Sequence, residues 1–356
     1  SHNPAEWNAL KLLNEKGEFL SGADGKELLA IAGSEDFLYA PLDELGSYVH
    51  DDSWGSIHIE QVLALELVDR EAVSKADFTV AIDCVNSVGG IIVPALLKSL
   101  GVKRIVELNT TPDGHFAHNP EPLPANLTEI SALTASSGAD VGFVVDPDVD
   151  RLAIICEDGS MFGEEYTLVA VSDYVLSATP GNTVSNLSST RALKDVTEKH
   201  GGQYFTAAVG EINVVEEMKE RGAVIGGEGN GGVIYPELHY GRDAIVGIAL
   251  FLSHLARSGM SCSELRKTYP DYFMAKKRLD LPEGVSFARM LDSVREDFAG
   301  HDIDERDGMR IEYANGWVQI RKSNTEPIMR IYAEGPTIED AENLADRVIG
   351  IVKKVK

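Results

Sequence analysis

Apolar and polar positions along the chain alternate in short blocks that predict strands and helices in turn. Residues 78–83 (FTVAID) form a compact apolar run and predict a buried strand. Asn86-Ser87-Val88-Gly89-Gly90 predicts a turn into the apolar helix IIVPALLKSL, and RIVELN predicts the strand beyond it. Strand, helix and strand in that order predict a parallel βαβ unit. Residues 141–145 (VGFVV) predict another strand, which leads into an acidic loop and the apolar run 152–155. From Glu164 the pattern repeats: a helix EEYTLVAVSDYVLS, a strand at 183–187, a helix at 190–200 and a strand at 203–206. The helix INVVEEMKERG, the strand AVIGG and a long apolar helix beginning at Asp243 follow, the carboxylate suiting a helix N-terminus. Past Pro270 the pattern changes to the strand-like runs MRIEYAN, WVQIRKS and MRIYAEG, then an amphipathic helix from Ile338. The fold class predicted is α/β and multidomain. Two α/β domains occupy the middle, a small α+β domain the C-terminal end, and part of another the front. No low-complexity linker separates them, so they are expected to pack around a shared cleft.

Composition changes this picture in two ways. The 356 residues are 44% apolar and 25% charged, as in ordinary globular proteins, with enough chain for several cores. The formal net charge of −25 argues against nucleic acid or an anionic membrane as the main partner. An anionic substrate would have to be caught by local basic and backbone N–H groups against the overall field. Cys84, Cys156 and Cys262 are far apart, form no CxxC pair and read as buried thiols of a reducing compartment. No apolar run approaches the ~18–20 residues of a membrane span, and no leader pattern opens the chain, so the expected location is cytoplasmic.

The strongest chemical signal is Asp146-Pro147-Asp148-Val149-Asp150-Arg151. In an extended loop alternate residues face one side, so three carboxylates converge. Oxygen ligands without His or Cys suit a hard cation such as Mg²⁺. An EF-hand would match Asp at positions one, three and five and Glu157 at twelve, but Arg151 stands where its Gly is needed and the flanks are strand-like. A haloacid-dehalogenase loop, with Asp146 as nucleophile and Asp148 as acid, is the alternative enzyme. A merely solvated acidic turn is disfavoured by repulsion among three neighbouring like charges.

Gly226–Gly232 (GGEGNGG) contains GxGxxG at Gly227, Gly229 and Gly232. A dinucleotide fingerprint needs a helix directly after it. The strand-like VIYPE follows instead, so the dinucleotide reading fails. What is left is either a plain turn or a flexible loop offering Glu228 and Asn230 to sugar hydroxyls. Arg321-Lys322-Ser323-Asn324-Thr325-Glu326-Pro327, with Arg330 beyond, is either an exposed hairpin or a phosphate site. Hydroxyl, amide and backbone donors together with an Arg fork suit phosphate. Ser1-His2-Asn3-Pro4 and Lys11 say little alone.

Together these four stretches resemble, in order, the active-site loops of the α-D-phosphohexomutases. The resemblance implies Ser1 as phosphoserine and metal-contacting residue, Lys11 as an acid/base group, and Asp146, Asp148 and Asp150 as ligands of one Mg²⁺. It implies Glu228 and Asn230 as sugar contacts, and Arg321, Ser323, Asn324, Thr325 and Arg330 as the phosphate dock. Arg151 joins the catalytic set. Three departures stand out: Ala9 and Val149 lie where Gly is common, and Gly232 lies where several relatives have His, so His239 is the substitute base considered. The implied activity is a phosphohexomutase exchanging hexose 1- and 6-phosphates of glucose, mannose or glucosamine, with a hexose 1,6-bisphosphate as intermediate and activator. A phosphosugar is the expected partner, with the chain acting as monomer or homodimer. A non-catalytic sugar-phosphate-binding remnant is the third reading. The implied domains are 1–60, incomplete at its front because the family continues upstream of its phosphoserine, then 61–163, 164–272 and 273–356.

Overall fold

The computed structural model describes residues 10–281, 286–323 and 328–355. Three front helices, α1 (Gly22–Ser34), α2 (Trp54–Ala64) and α3 (Arg70–Ala76), precede two α/β units of one plan. The first unit runs β1 (Thr79–Asp83), α4 (Gly89–Leu100), β2 (Arg104–Leu108), α5 (Thr128–Ser137), β3 (Val141–Val145) and β4 (Leu152–Cys156). Its sheet has the order β2-β1-β3-β4, parallel except for β4, which returns antiparallel beside β3. The second runs α6 (Glu164–Ala178), β5 (Asn182–Asn186), α7 (Ala192–Lys199), β6 (Tyr204–Ala207), α8 (Glu211–Arg221), β7 (Ala223–Glu228) and β8 (Gly232–Ile234). The order β6-β5-β7-β8 repeats the first plan, again with an antiparallel last strand. β1, β3 and β4 are buried at every position, which is why they read as continuous apolar runs rather than alternating ones.

Helix α9 (Ala244–Ser258) follows, then α10 (Cys262–Arg266). Apolar around most of its circumference, α9 packs on α2, α3 and α4 as well as on α6, β4 and β8. Phe251 meets Phe143 and Phe162 edge-to-face with ring centroids 6.0 and 5.2 Å apart. One continuous core therefore runs through both α/β units. Asp243 caps α9, accepting hydrogen bonds from the N–H groups of Ile245 and Val246, a cap of the kind that contributes about 1 kcal/mol.

The C-terminal unit has a core of its own. It comprises β9 (Phe273–Asp280), α11 (Phe287–Asp297), β10 (Asp302–Asp304), β11 (Met309–Tyr313), β12 (Gly316–Lys322), β13 (Ile328–Gly335) and α12 (Ile338–Val352). Its antiparallel sheet has the order β10-β11-β12-β13-β9. The strand and helix pattern expected from sequence forms with small shifts at the ends. The front helices α1–α3, α5, α10, β9, β10 and α11 are additions, and the helix expected from Thr190 starts at Ala192. No helix among the described residues is long and apolar enough to cross a membrane.

Candidate active site

The two antiparallel returns place the two acidic loops side by side. Residues 146–151 join β3 to β4, and residues 229–231 join β7 to β8. The loops touch through their backbones, the Leu152 N–H donating to Gly231 O at 3.0 Å. Gly231 has φ +87°, and a Cβ there would lie 2.4 Å from Leu152 O, so this approach admits only glycine.

Asp146, Asp148 and Asp150 each bring a carboxylate oxygen within 4.8 Å of the others. They converge by a turn, not by the extended alternation that the sequence suggested. Asp146 Oδ1 accepts from the N–H groups of Asp150 and Arg151, both at 3.0 Å, and the Val149 N–H donates to Asp146 O at 3.1 Å. Val149 takes φ +61°, a left-handed conformation costing a non-glycine residue about 1–2 kcal/mol. Its carbonyl is held by the Ala244 N–H at 3.0 Å. Ser87 Oγ donates to Pro147 O at 2.7 Å and braces the loop from the first unit.

The loop's electrostatics call for a cation. Asp146 Oδ2 and Asp150 Oδ1 are buried and have no hydrogen-bond partner among the described residues, and Arg151 Nε lies 4.0 Å from each. Burial, with Asp150 and Asp148 nearby, pushes the Asp146 carboxyl up to about 8. Burial also pushes Asp150 up, but Arg242 and Lys11 outweigh it and bring the group down to about 2. Lys11 Nζ contacts Asp148 and lies 2.8 Å from Asp150 Oδ2. Three converging carboxylates, those of Asp146 and Asp150 with uncommitted buried oxygens, and no softer donor fit Mg²⁺.

Arg242 joins the two loops, and sequence reasoning missed it. Its guanidinium donates to Asp150 Oδ2 at 2.7 Å and to Glu228 Oε2 at 2.5 Å, while Nε lies 3.2 Å from Glu211 Oε2. The Cβ of any residue replacing Gly232 would sit 2.4 Å from Arg242 Cδ, so glycine at this position makes room for the bridge. Glu228 also accepts from Asn186 Nδ2 at 2.8 Å, from the Gly210 N–H at 3.3 Å and from Asn230 Nδ2 at 3.4 Å. Burial of Glu228 at 4% exposure is thus matched by four donors.

Glu228, Asn230, Arg242 and Arg151 open onto a cavity of about 590 Å³, whose opposite wall carries Arg321 and Arg330. Seven basic and five acidic side chains line it among the described residues. The local balance is positive in a chain of net charge −25, as capture of an anion requires. Arg321 pairs with Asp307 at 3.2 Å. Ser323 is buried beside it, its N–H donating to Ile328 O at 2.9 Å. Lys276 and Arg278 of β9 also face the cavity, and neither was foreseen. Ser1, Asn324 and Thr325 lie outside the described residues. His239 is not among the residues lining the cavity; its Nε2 lies 3.1 Å from Asp243 Oδ2 instead.

Three family models of phosphoglucomutase/phosphomannomutase match the chain: α/β/α domain II at residues 57–159, α/β/α domain III at 163–272 and the C-terminal domain at 277–351. A probable phosphoglucosamine mutase of Methanopyrus kandleri is 32% identical over 99% of this chain and 77% of its own length. The chain belongs to the α-D-phosphohexomutase family. A phosphoglucomutase/phosphomannomutase of Thermococcus kodakarensis is 34% identical over 99% of this chain and 77% of its own length. Among solved structures, a phosphoglucomutase/phosphomannomutase family protein of Burkholderia thailandensis superposes with a TM-score of 0.78 at 26% identity, covering 94% of this chain and 71% of that one. The phosphohexomutase fold and activity expected from the four loops stand, and the phosphatase alternative is not favoured.

Proposed function

We propose that this cleft exchanges the phosphoryl position of a hexose 1- or 6-phosphate through Ser1 as phosphoryl carrier. The observation that carries the reading is the Arg242 bridge. It fastens the carboxylate cluster suited to a cation to the carboxylate suited to sugar hydroxyls, on the rim of a cavity of locally positive charge. Asp146, Asp148 and Asp150 would hold one Mg²⁺, with a phosphoryl oxygen on Ser1 as a further ligand. When bound, that ion supplies charge neutralisation for phosphoryl transfer.

In the forward step the Ser1 Oγ–P bond breaks and a P–O bond forms to the free sugar hydroxyl. The hydroxyl proton is carried by Lys11, which requires its amine to be neutral and released from the Asp148 and Asp150 carboxylates that it pairs with here. The hexose 1,6-bisphosphate so formed turns over and returns its other phosphoryl group to Ser1. Arg321, Arg330 and the 323–325 turn hold the phosphate that does not react, and Arg151 faces the transferring group. Glu228 with Asn230 takes the sugar hydroxyls in both poses, the 3.4 Å bond between Asn230 and Glu228 giving way to them. Residues 61–163, 164–272 and 273–356, with the front segment, are the proposed domains around this cleft. Glucose, mannose and glucosamine phosphates form the substrate class.

Mass spectrometry of the intact protein after treatment with a hexose 1,6-bisphosphate tests the carrier. The expected phosphate is acid-stable and sits on Ser1. An acid-labile phosphate on Asp146 would overturn the assignment.

A further inference from the structure

Behind the cleft, His58 of α2 meets His239 and Asp243 of the segment entering α9. His58 Nε2 lies 2.8 Å and His239 Nε2 3.1 Å from one oxygen, Asp243 Oδ2. The other carboxylate oxygen is committed to the α9 cap, accepting from the Ile245 and Val246 N–H groups at 2.7 and 3.3 Å. The carboxylate is therefore fixed in orientation from behind, as supporting hydrogen bonds fix the ligands of metal sites. The imidazole rings do not stack: their centroids are 5.9 Å apart and their planes inclined by 55°. One ligand atom of each residue falls within 4.8 Å of the others.

Two imidazoles and a carboxylate aimed at one point make a donor set that the Asp loop lacks. Nitrogen-rich sets of this kind suit Zn²⁺ and neighbouring first-row cations, whereas Mg²⁺ prefers oxygen. Metal–ligand bonds of about 2.0–2.1 Å at angles between square and tetrahedral place adjacent ligand atoms roughly 3 Å apart, close to the two spacings found. The imidazole side chains are 27% and 39% exposed, so an ion and its waters have a path in.

We propose that His58, His239 and Asp243 form a binding site for a zinc-type divalent cation, separate from the Asp loop. Each imidazole binds through the neutral Nε2 lone pair, its proton residing on Nδ1, and Asp243 contributes Oδ2. The site joins α2 to the segment that carries Arg242, one residue before Asp243. The next residue, Ala244, holds Val149 O of the Asp loop. Occupancy thus ties the front helices to the bridge between the two loops.

Isothermal titration of the intact protein with Zn²⁺, at saturating Mg²⁺ to fill the Asp loop, tests the site. One Zn²⁺ per chain is expected. His58→Gln and His239→Gln, which keep a donor toward Asp243, should each weaken binding by about tenfold or more, while Asp148→Asn leaves it unchanged. Should one His variant fail to fold, the other decides. No zinc binding, unchanged binding in the folded His variants, or loss of binding in Asp148→Asn would each overturn the proposal.

Discussion

The β3–β4 and β7–β8 returns are built on one topology and solve opposite electrostatic problems. In the first, carboxylates gather with buried oxygens uncommitted, and the protein supplies only part of the compensating charge, from Lys11 and Arg242. In the second, the single carboxylate of Glu228 is met by four donors of the protein itself. The first loop is completed by something that binds; the second is already organised. Backbone geometry follows the same division. The Asp loop holds Val149 in a left-handed conformation at a cost of about 1–2 kcal/mol, whereas Gly231 has a backbone carbonyl where a Cβ would go.

Cutting the link between the loops should have the largest effect. Arg242→Met strands Asp150, Glu228 and Glu211 without their shared cation, and removing one partner of a buried charge cluster costs about 3–5 kcal/mol. Urea unfolding should register that loss, and kcat/KM should fall at least about a hundredfold, since two loops lose their register. An Arg242→Met enzyme with near-normal kinetics would dissolve the comparison.

Filling the incomplete loop comes next. Mg²⁺ at about a hundred times its Kd should stabilise the fold by about 2.7 kcal/mol, read as a rise in melting temperature that Asp148→Asn abolishes. The effect depends on pH with a definite sign. Asp146 has a folded pKa raised to about 8, so its contribution to the metal-free fold is full below the unfolded carboxyl value near ~4 and is lost as pH rises through about 8. Asp150, lowered to about 2, contributes stability above its unfolded value and loses it as pH falls through about 2. Metal-free protein should therefore lose stability between about pH 4 and 8, and Mg²⁺ should flatten that decline.

A smaller loss is expected at the seam between the loops. Gly231→Ala forces a Cβ against Leu152 O at a positive φ, for about 1–3 kcal/mol in stability. Ser87→Ala removes only the brace on Pro147 and should cost about 0.5–1.5 kcal/mol, with kcat/KM reduced less than in the Gly231 variant. The reverse order would place the organising contacts in the first unit rather than at the seam.

What the sequence made legible follows from the same physics. Buried parallel strands such as β1 and β3 must be continuously apolar, and a metal loop must concentrate carboxylates, so both stand out without a structure. β9 did not stand out. Its Lys276, Lys277 and Arg278 interrupt an apolar pattern, and Lys276 and Arg278 turn toward the cavity. Arg242 was hidden for a different reason: its partners are 92, 14 and 31 residues away, and nothing local marks it. Gly232 was the available trace, the last glycine of the GxGxxG match, with Arg242 lying across the space that a Cβ would take. The alternation argument placed the three Asp residues together correctly but for the wrong reason, since a turn closed by the Asp146 side chain does the work.

The central claim is that these loops move a phosphoryl group within a hexose phosphate rather than release it. Phosphorus NMR of the intact protein with Mg²⁺, a trace of hexose 1,6-bisphosphate and glucose, mannose or glucosamine 1-phosphate reads this directly. The prediction is that the 6-phosphate resonance grows as the 1-phosphate resonance falls, with no inorganic phosphate beyond the control and no conversion by Asp148→Asn. Growth of inorganic phosphate in place of the 6-phosphate would contradict it.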